Sequence, residues 1–149
     1  MDTGNYAFGT QGDGNHFLYV GKDLEGNVWI VTHHGSRSVG AKLYKKGMAL
    51  GKKYWERECI GDDSNPYIRL DENGGQEYFD ALQIVRQWTK ANHSEIHNSI
   101  VKDLGLTIED RFWNEHNFLF KNGNNFYHAK GATPLIADLL PDSDGRMLV

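Results

Sequence analysis

The sequence predicts an α+β fold in which antiparallel hairpins are flanked by helices. Three observations predict it. Two pairs of aromatic and β-branched runs are each split by a turn signal, two long stretches carry apolar residues at helical spacing, and polar glycine-bearing segments punctuate the rest. A chain of 149 residues is one domain's worth. At that length roughly 70% of the unfolded surface is buried on folding, enough for a real core.

Met1 to Gly14 reads as loop. Phe17-Leu18-Tyr19-Val20 and Asn27-Val28-Trp29-Ile30-Val31-Thr32-His33 read as strands, with Gly21 to Gly26 turning between them around Asp23. This hairpin brings His16 and His33 to the same edge. Adjacent strand residues face opposite ways, so only one of His33 and His34 is expected to share a face with His16. Ser36 suits the N-cap of a helix over Val39 to Trp55, where Val39, Leu43, Gly47, Leu50 and Tyr54 recur at helical spacing. A helix start fed by Gly35-Ser36-Arg37 suits an anion.

Cys59 to Gly75 reads as loop, marked by Gly61, Asp62, Asp63, Asn65 and Pro66, with a short strand over Tyr67 to Leu70. Gln76 to Lys102 reads as a long helix. Phe79, Leu82, Val85, Trp88, Ile96 and Ile100 form its stripe, and His93 and Asn98 mark a break. Glu115 to Lys130 reads as a second hairpin, in which Phe118 to Phe120 and Asn125 to His128 flank Asn122-Gly123. His116 and His128 fall at its open end. Arg146 to Val149 reads as a strand.

Composition narrows the function. The net charge of −4 argues against a protein that clings to nucleic acid over its whole surface. The exception is local: Lys42, Lys45, Lys46, Lys52, Lys53 and Arg57 fall within 16 residues, either as a solvated helix face or as a phosphate-contacting one. No apolar run approaches the roughly 20 residues of a membrane span. The polar start does not read as a signal peptide, and the single Cys59 permits no internal disulfide. A cytoplasmic protein is the plain expectation.

The chemistry concentrates in four histidine segments: Gly12-Asp13-Gly14-Asn15-His16-Phe17, His33-His34-Gly35-Ser36-Arg37, Glu115-His116-Asn117-Phe118 and His128-Ala129-Lys130-Gly131-Ala132-Thr133. Neutral imidazole is the commonest metal ligand. Arg, Lys, Asn and glycine-freed backbone N–H groups are what a phosphate needs. Each residue alone also has a plain structural reading, as a hairpin-end polar group or a surface cation. His93 and His97 stand at i and i+4 on a helix, but Glu95 does not directly follow the first histidine as a metalloprotease motif requires. Cys59 has no neighbours at ligand spacing.

Taken in order, the four segments resemble the RtcB family of RNA-splicing ligases. The match starts at Gly9-Thr10-Gln11-Gly12-Asp13-Gly14-Asn15-His16-Phe17, runs over nearly the whole chain, and includes Leu140-Pro141-Asp142-Ser143-Asp144-Gly145-Arg146 more weakly. The resemblance implies part of an RtcB-like fold. It implies ligation of RNA 2′,3′-cyclic phosphate or 3′-phosphate ends to 5′-hydroxyl ends, with GTP and Mn²⁺ as cofactors. By the same resemblance His16, His33 and His116 match metal ligands, Asn15 and Asn117 match guanylate contacts, and Arg37, His128 and Lys130 match the RNA-phosphate region. Sequence alone would not choose Mn²⁺ over Zn²⁺.

Three departures follow. The family's metal-binding Asp and Cys motif lies upstream of the Gly-Asn-His segment, and its guanylated histidine lies in a downstream His-Gly-Ala-Gly-Arg motif. Neither motif occurs in residues 1–149, which therefore read as a partial catalytic domain without its nucleophile. Tyr19 stands where many members place a Glu that helps hold the nucleotide. With His34, it resembles a divergent branch serving RNA repair more than tRNA splicing. The alternative is a module that binds metal or RNA ends without catalysis.

Overall fold

The computed structural model describes residues 3–61, 64–128 and 130–147. The chain divides into two compact units, Met1–Ile100 and Val101–Val149. The architecture is helices with small antiparallel sheets, so the α+β expectation holds. No helix among the described residues is long and apolar enough to cross a membrane.

The first unit opens with α1 (Thr3–Ala7), a five-residue helix within a stretch expected to be loop. It packs on α2. Strands β1 (Phe17–Lys22) and β2 (Val28–His33) pair antiparallel, with Phe17 opposite His33 and Lys22 opposite Val28. One carboxylate closes their turn. Asp23 accepts the backbone N–H of Glu25 and Asn27, the Asn27 side-chain amide and the Trp29 indole, the last at 2.8 Å. The Trp29 bond, then that of Asn27, pulls the Asp23 carboxyl down to about 2.

Helix α2 (Arg37–Arg57) is longer than the spacing suggested. Ser36 occupies the N-cap position, but its side chain makes no capping bond. Its backbone (φ −74°, ψ 8°) is near-helical rather than the extended conformation of a capping residue. Helix α3 (Gly75–Asp103) sends the Tyr78 ring to α2, where it fills the place of a Cβ at Gly47.

α3 has no break at His93 or Asn98. Its buried face continues through Val85, Thr89, Asn92, His93 and Ile96 at helical spacing, but the middle of that face is polar. The lapse in apolar periodicity is thus a change of chemistry rather than an end of helix. Tyr67 to Leu70 has no strand partner and is not a strand. Of the Cys59–Gly75 loop, Asp62 and Asp63 lie outside the described residues.

The second unit holds a small hairpin, β3 (Phe120–Asn122) and β4 (Asn125–Tyr127). Asn122 pairs with Asn125, so the loop is Gly123-Asn124, one residue later than expected. Gly123 takes φ 58° at the first loop position, which glycine adopts readily. Phe120, Leu139 and Leu140 form the buried cluster of this unit, with Phe118 against it, and a 3₁₀ turn (Pro141–Ser143) follows. Arg146 and Met147 are not in a strand; the rest of that expected strand, like Ala129, lies outside the described residues.

Candidate functional site

The β1–β2 register brings His16 and His33 together, as the hairpin required: their ring centres are 6.5 Å apart. His34 is there as well, its ring 6.2 Å from that of His16. Only one of His33 and His34 was expected to share a face with His16, yet both rings lie within 6.5 Å of it. β2 ends at His33, so strand alternation no longer governs the next residue.

The hydrogen bonds fix the tautomers. His16 Nδ1 lies 2.9 Å from the Gln11 carbonyl, which only accepts, so Nδ1 carries the proton. Nε2 then keeps its lone pair and accepts the Gly35 N–H at 3.3 Å. A backbone carbonyl holding Nδ1–H while Nε2 stays basic is the arrangement that orients a metal-binding imidazole. Arg37 Nη1, 3.5 Å from the same Nδ1, is not its hydrogen-bond donor, because that nitrogen is already protonated.

Behind the pair sits a buried network missed in the sequence. Asn92 is fully buried, with 0% exposure. Its Oδ1 accepts the Gly9 N–H at 2.6 Å, and its Nδ2 donates to the Thr10 carbonyl at 3.0 Å and to His34 Nε2 at 3.4 Å. The His34 and His93 rings stack with centres 3.4 Å apart. His93 Nε2–H donates to the His34 carbonyl, which leaves His93 Nδ1 to accept the Thr32 hydroxyl at 2.6 Å. That hydroxyl in turn accepts His97 Nε2–H at 2.9 Å. His93 and His97, at i and i+4, therefore share a threonine oxygen. Burial, then the neighbouring His34, pulls His93 down to about 3. Burial lowers His34 too. Only the polar lapse in the α3 stripe could have signalled this network.

Arg37 starts α2 at φ 54°, a left-handed conformation that disfavours a side chain with Cβ and is found where a site over-determines the backbone. Its guanidinium lies directly over Gly12, whose missing Cβ makes the room. Arg37 Nε is buried and has no hydrogen-bond partner. An orphaned guanidinium donor on a glycine cradle fits an oxyanion. Asn15 is exposed in the turn after Gly14. Tyr19 is exposed on β1.

His116, Asn117, His128 and Lys130 belong to the second unit. His116 is half-buried beside the buried Glu115. Asn117 takes φ 62°, and its Oδ1 accepts the Gly131 N–H at 2.6 Å, so the amide N–H₂ is its remaining donor. His128 Nδ1–H donates to the Phe118 carbonyl at 3.0 Å. The Asn117 side chain and the Phe118 carbonyl thus hold Gly131 and His128 at the hairpin's open end, and Lys130 is exposed.

Fit to a metal can be tested on the first unit. A ring nitrogen about 2.1 Å from an ion puts its ring centre about 3.2 Å away, so two rings on one ion have centres at most roughly 6.5 Å apart, and only when they lie on opposite sides of it. His16 and His33 stand at that outer limit. They supply two nitrogen donors, and among the described residues no group of three His, Cys, Asp or Glu side chains is arranged to hold an ion.

Comparison with known proteins points one way. The family model for tRNA-splicing ligase RtcB matches residues 1–137. The RNA-splicing ligase RtcB of Escherichia coli strain K12 and RtcB1 of a second Escherichia coli strain are each 35% identical over 91 residues, covering 60% of this chain. The chain spans 22% of the length of either relative. No solved structure matches.

Proposed function

The chain belongs to the RtcB family of tRNA-splicing ligases, and on that premise we propose that it is the metal- and phosphate-binding part of an RNA ligase. The reaction is the GTP- and Mn²⁺-dependent joining of RNA 2′,3′-cyclic phosphate or 3′-phosphate ends to 5′-hydroxyl ends. The observation that carries the reading is the His16–His33 pair, with His16 held through Nδ1 and its unprotonated Nε2 engaged only by the Gly35 N–H at 3.3 Å, a contact a metal would displace.

His16, His33 and His116 take the metal-ligand roles, each through a neutral ring nitrogen. When bound, Mn²⁺ supplies positive charge to the oxygens of a phosphoryl group in transfer. Arg37, seated on Gly12 with its Nε donor unused, binds a phosphate oxygen of the RNA end. Lys130 and His128 take the same role from the 128–131 segment. Asn117 offers its amide N–H₂ to guanylate because its oxygen is already committed to Gly131. Asn15 contributes from the glycine-flanked turn before His16.

A second reading is binding of metal or RNA ends without ligation. It needs only the His16–His33 pair and the Arg37 guanidinium over Gly12. One titration tests the metal reading. Free Mn²⁺, followed by electron paramagnetic resonance, is expected to show at least a tenfold weaker affinity in His16→Ala and His33→Ala. Unchanged affinity in both variants overturns it. A covalent GMP adduct on histidine, formed by the 149-residue chain with GTP and Mn²⁺, would overturn the second reading.

A further inference from the structure

We infer that Asn92, in the middle of α3, is a positioning residue for His16, acting through the Gly9–Gln11 backbone. Its relevance to function rests on the metal reading above; its geometry does not. The connection is a short run of bonds. Asn92 Oδ1 takes the Gly9 N–H, and Asn92 Nδ2 gives a proton to the Thr10 carbonyl. The next carbonyl along the chain, that of Gln11, receives His16 Nδ1–H. Whatever displaces residues 9–11 removes the acceptor that fixes the His16 tautomer and ring plane.

Among the described residues, Gly9 and Thr10 make no other long-range hydrogen bond; the neighbouring Phe8 ring packs edge-on to Trp88, which holds the segment but fixes no carbonyl. Gly9 and Thr10 are exposed, and the other bonds of Thr10, from its N–H and its hydroxyl, are local and go to the Ala7 carbonyl. The Asn92 bond to Gly9 spans 83 positions. The chemistry of the side chain explains why asparagine stands on a buried helix face. A buried amide is costly unless its donors and acceptor are met. Asn92 meets them with Gly9, Thr10 and His34, three groups on two separate segments.

The same turn of α3 holds the other half of the pair. His93 bonds to Thr32 and to the His34 carbonyl, the residues on either side of His33. One helical turn therefore holds the backbone leading to His16 and the backbone around His33. Residues of this kind, which touch the groups that orient a ligand, typically change metal affinity by about 10–100-fold when removed.

The test begins without metal, at about pH 8, where an ordinary imidazole is neutral. Long-range ¹H–¹⁵N NMR reads each histidine tautomer. His16 is expected as the Nδ1–H form in the wild type and as a mixture of tautomers in Asn92→Ala. Asn92→Asp keeps the acceptor for Gly9, loses the donors to Thr10 and His34, and is expected to fall between. Co²⁺, used as a probe of nitrogen donors, should then bind at least about tenfold more weakly to Asn92→Ala than to wild type. A His16 tautomer unchanged in a helical Asn92→Ala overturns the inference. A second measurement needs no variant: amide exchange at Gly9 should be slower than at Gly12 and Gly14, and equal rates overturn it as well. If wild type binds no Co²⁺, the metal reading fails, and the tautomer and exchange results still decide the positioning role.

Discussion

The two units hold their histidines by different means. In the first, a long helix supplies two buried side chains: Asn92 fastens the Gly9–Thr10 backbone, and His93 bonds to Thr32 of the hairpin. In the second, the fastening is loop to loop: His128 to the Phe118 carbonyl and Asn117 to the Gly131 N–H, above a cluster of Phe120, Leu139 and Leu140. The difference is one of specification. An apolar cluster accepts swaps that preserve volume. A buried polar network fixes one arrangement, because any unmet partner is expensive.

The contrast can be broken most forcefully in the second unit. Leu140 is only 2% exposed, and Leu140→Ala should cost about 3 kcal/mol by leaving a cavity. The expected reading is faster amide exchange at Phe120 and Tyr127, which pair across the hairpin. Unaltered exchange would mean that the cluster is not what holds this hairpin.

Acid probes the first unit. His93, pulled down to about 3 by burial, stays neutral in the folded chain where the unfolded chain, with an ordinary histidine value of 6.5, takes up a proton. Stability is therefore complete above about pH 6.5 and falls as pH drops toward 3, by at most about 1.4 kcal/mol per pH unit. Denaturant unfolding at about pH 5 should report roughly 2 kcal/mol less from this group than at about pH 7. His34, lowered by burial as well, adds in the same direction. His93→Phe should remove its part of the slope, and a slope unchanged in that variant contradicts the assignment.

A smaller effect sharpens the comparison at Arg37. Gly12→Ala places a Cβ on the guanidinium and a side chain at φ 87°, at a cost of about 1 kcal/mol. The Arg37 Nε–H resonance should move while the β1–β2 amide signals stay in place. A stationary Arg37 signal would show that the guanidinium does not sit on Gly12.

What the sequence revealed follows from which signals are local. The β1–β2 pairing was legible because Asp23 and the flanking glycines mark the turn, and with it the meeting of His16 and His33. α2 and α3 were legible from apolar spacing. α1 was not, since five residues carry too little pattern. The strand expected over Tyr67 to Leu70 failed because a strand needs a partner that its own composition cannot announce. Asn92 escaped, and His93 reads in the sequence as a helix break, because periodicity counts apolar residues, and here the buried face of a helix turns polar. Their bonds join α3 to Gly9, Thr10 and Thr32, far away in the chain.

The Asp23 knot has a consequence in time. All its bonds lie within residues 23–29. A hairpin closed by so short a loop forms in roughly 1–10 microseconds, without help from distant chain. The clamp from Asn92 to Gly9 must instead wait for α3 and for closure of a loop of 83 positions. His16 and His33 thus become neighbours early and acquire their final orientation late: the pair is made before it is aimed.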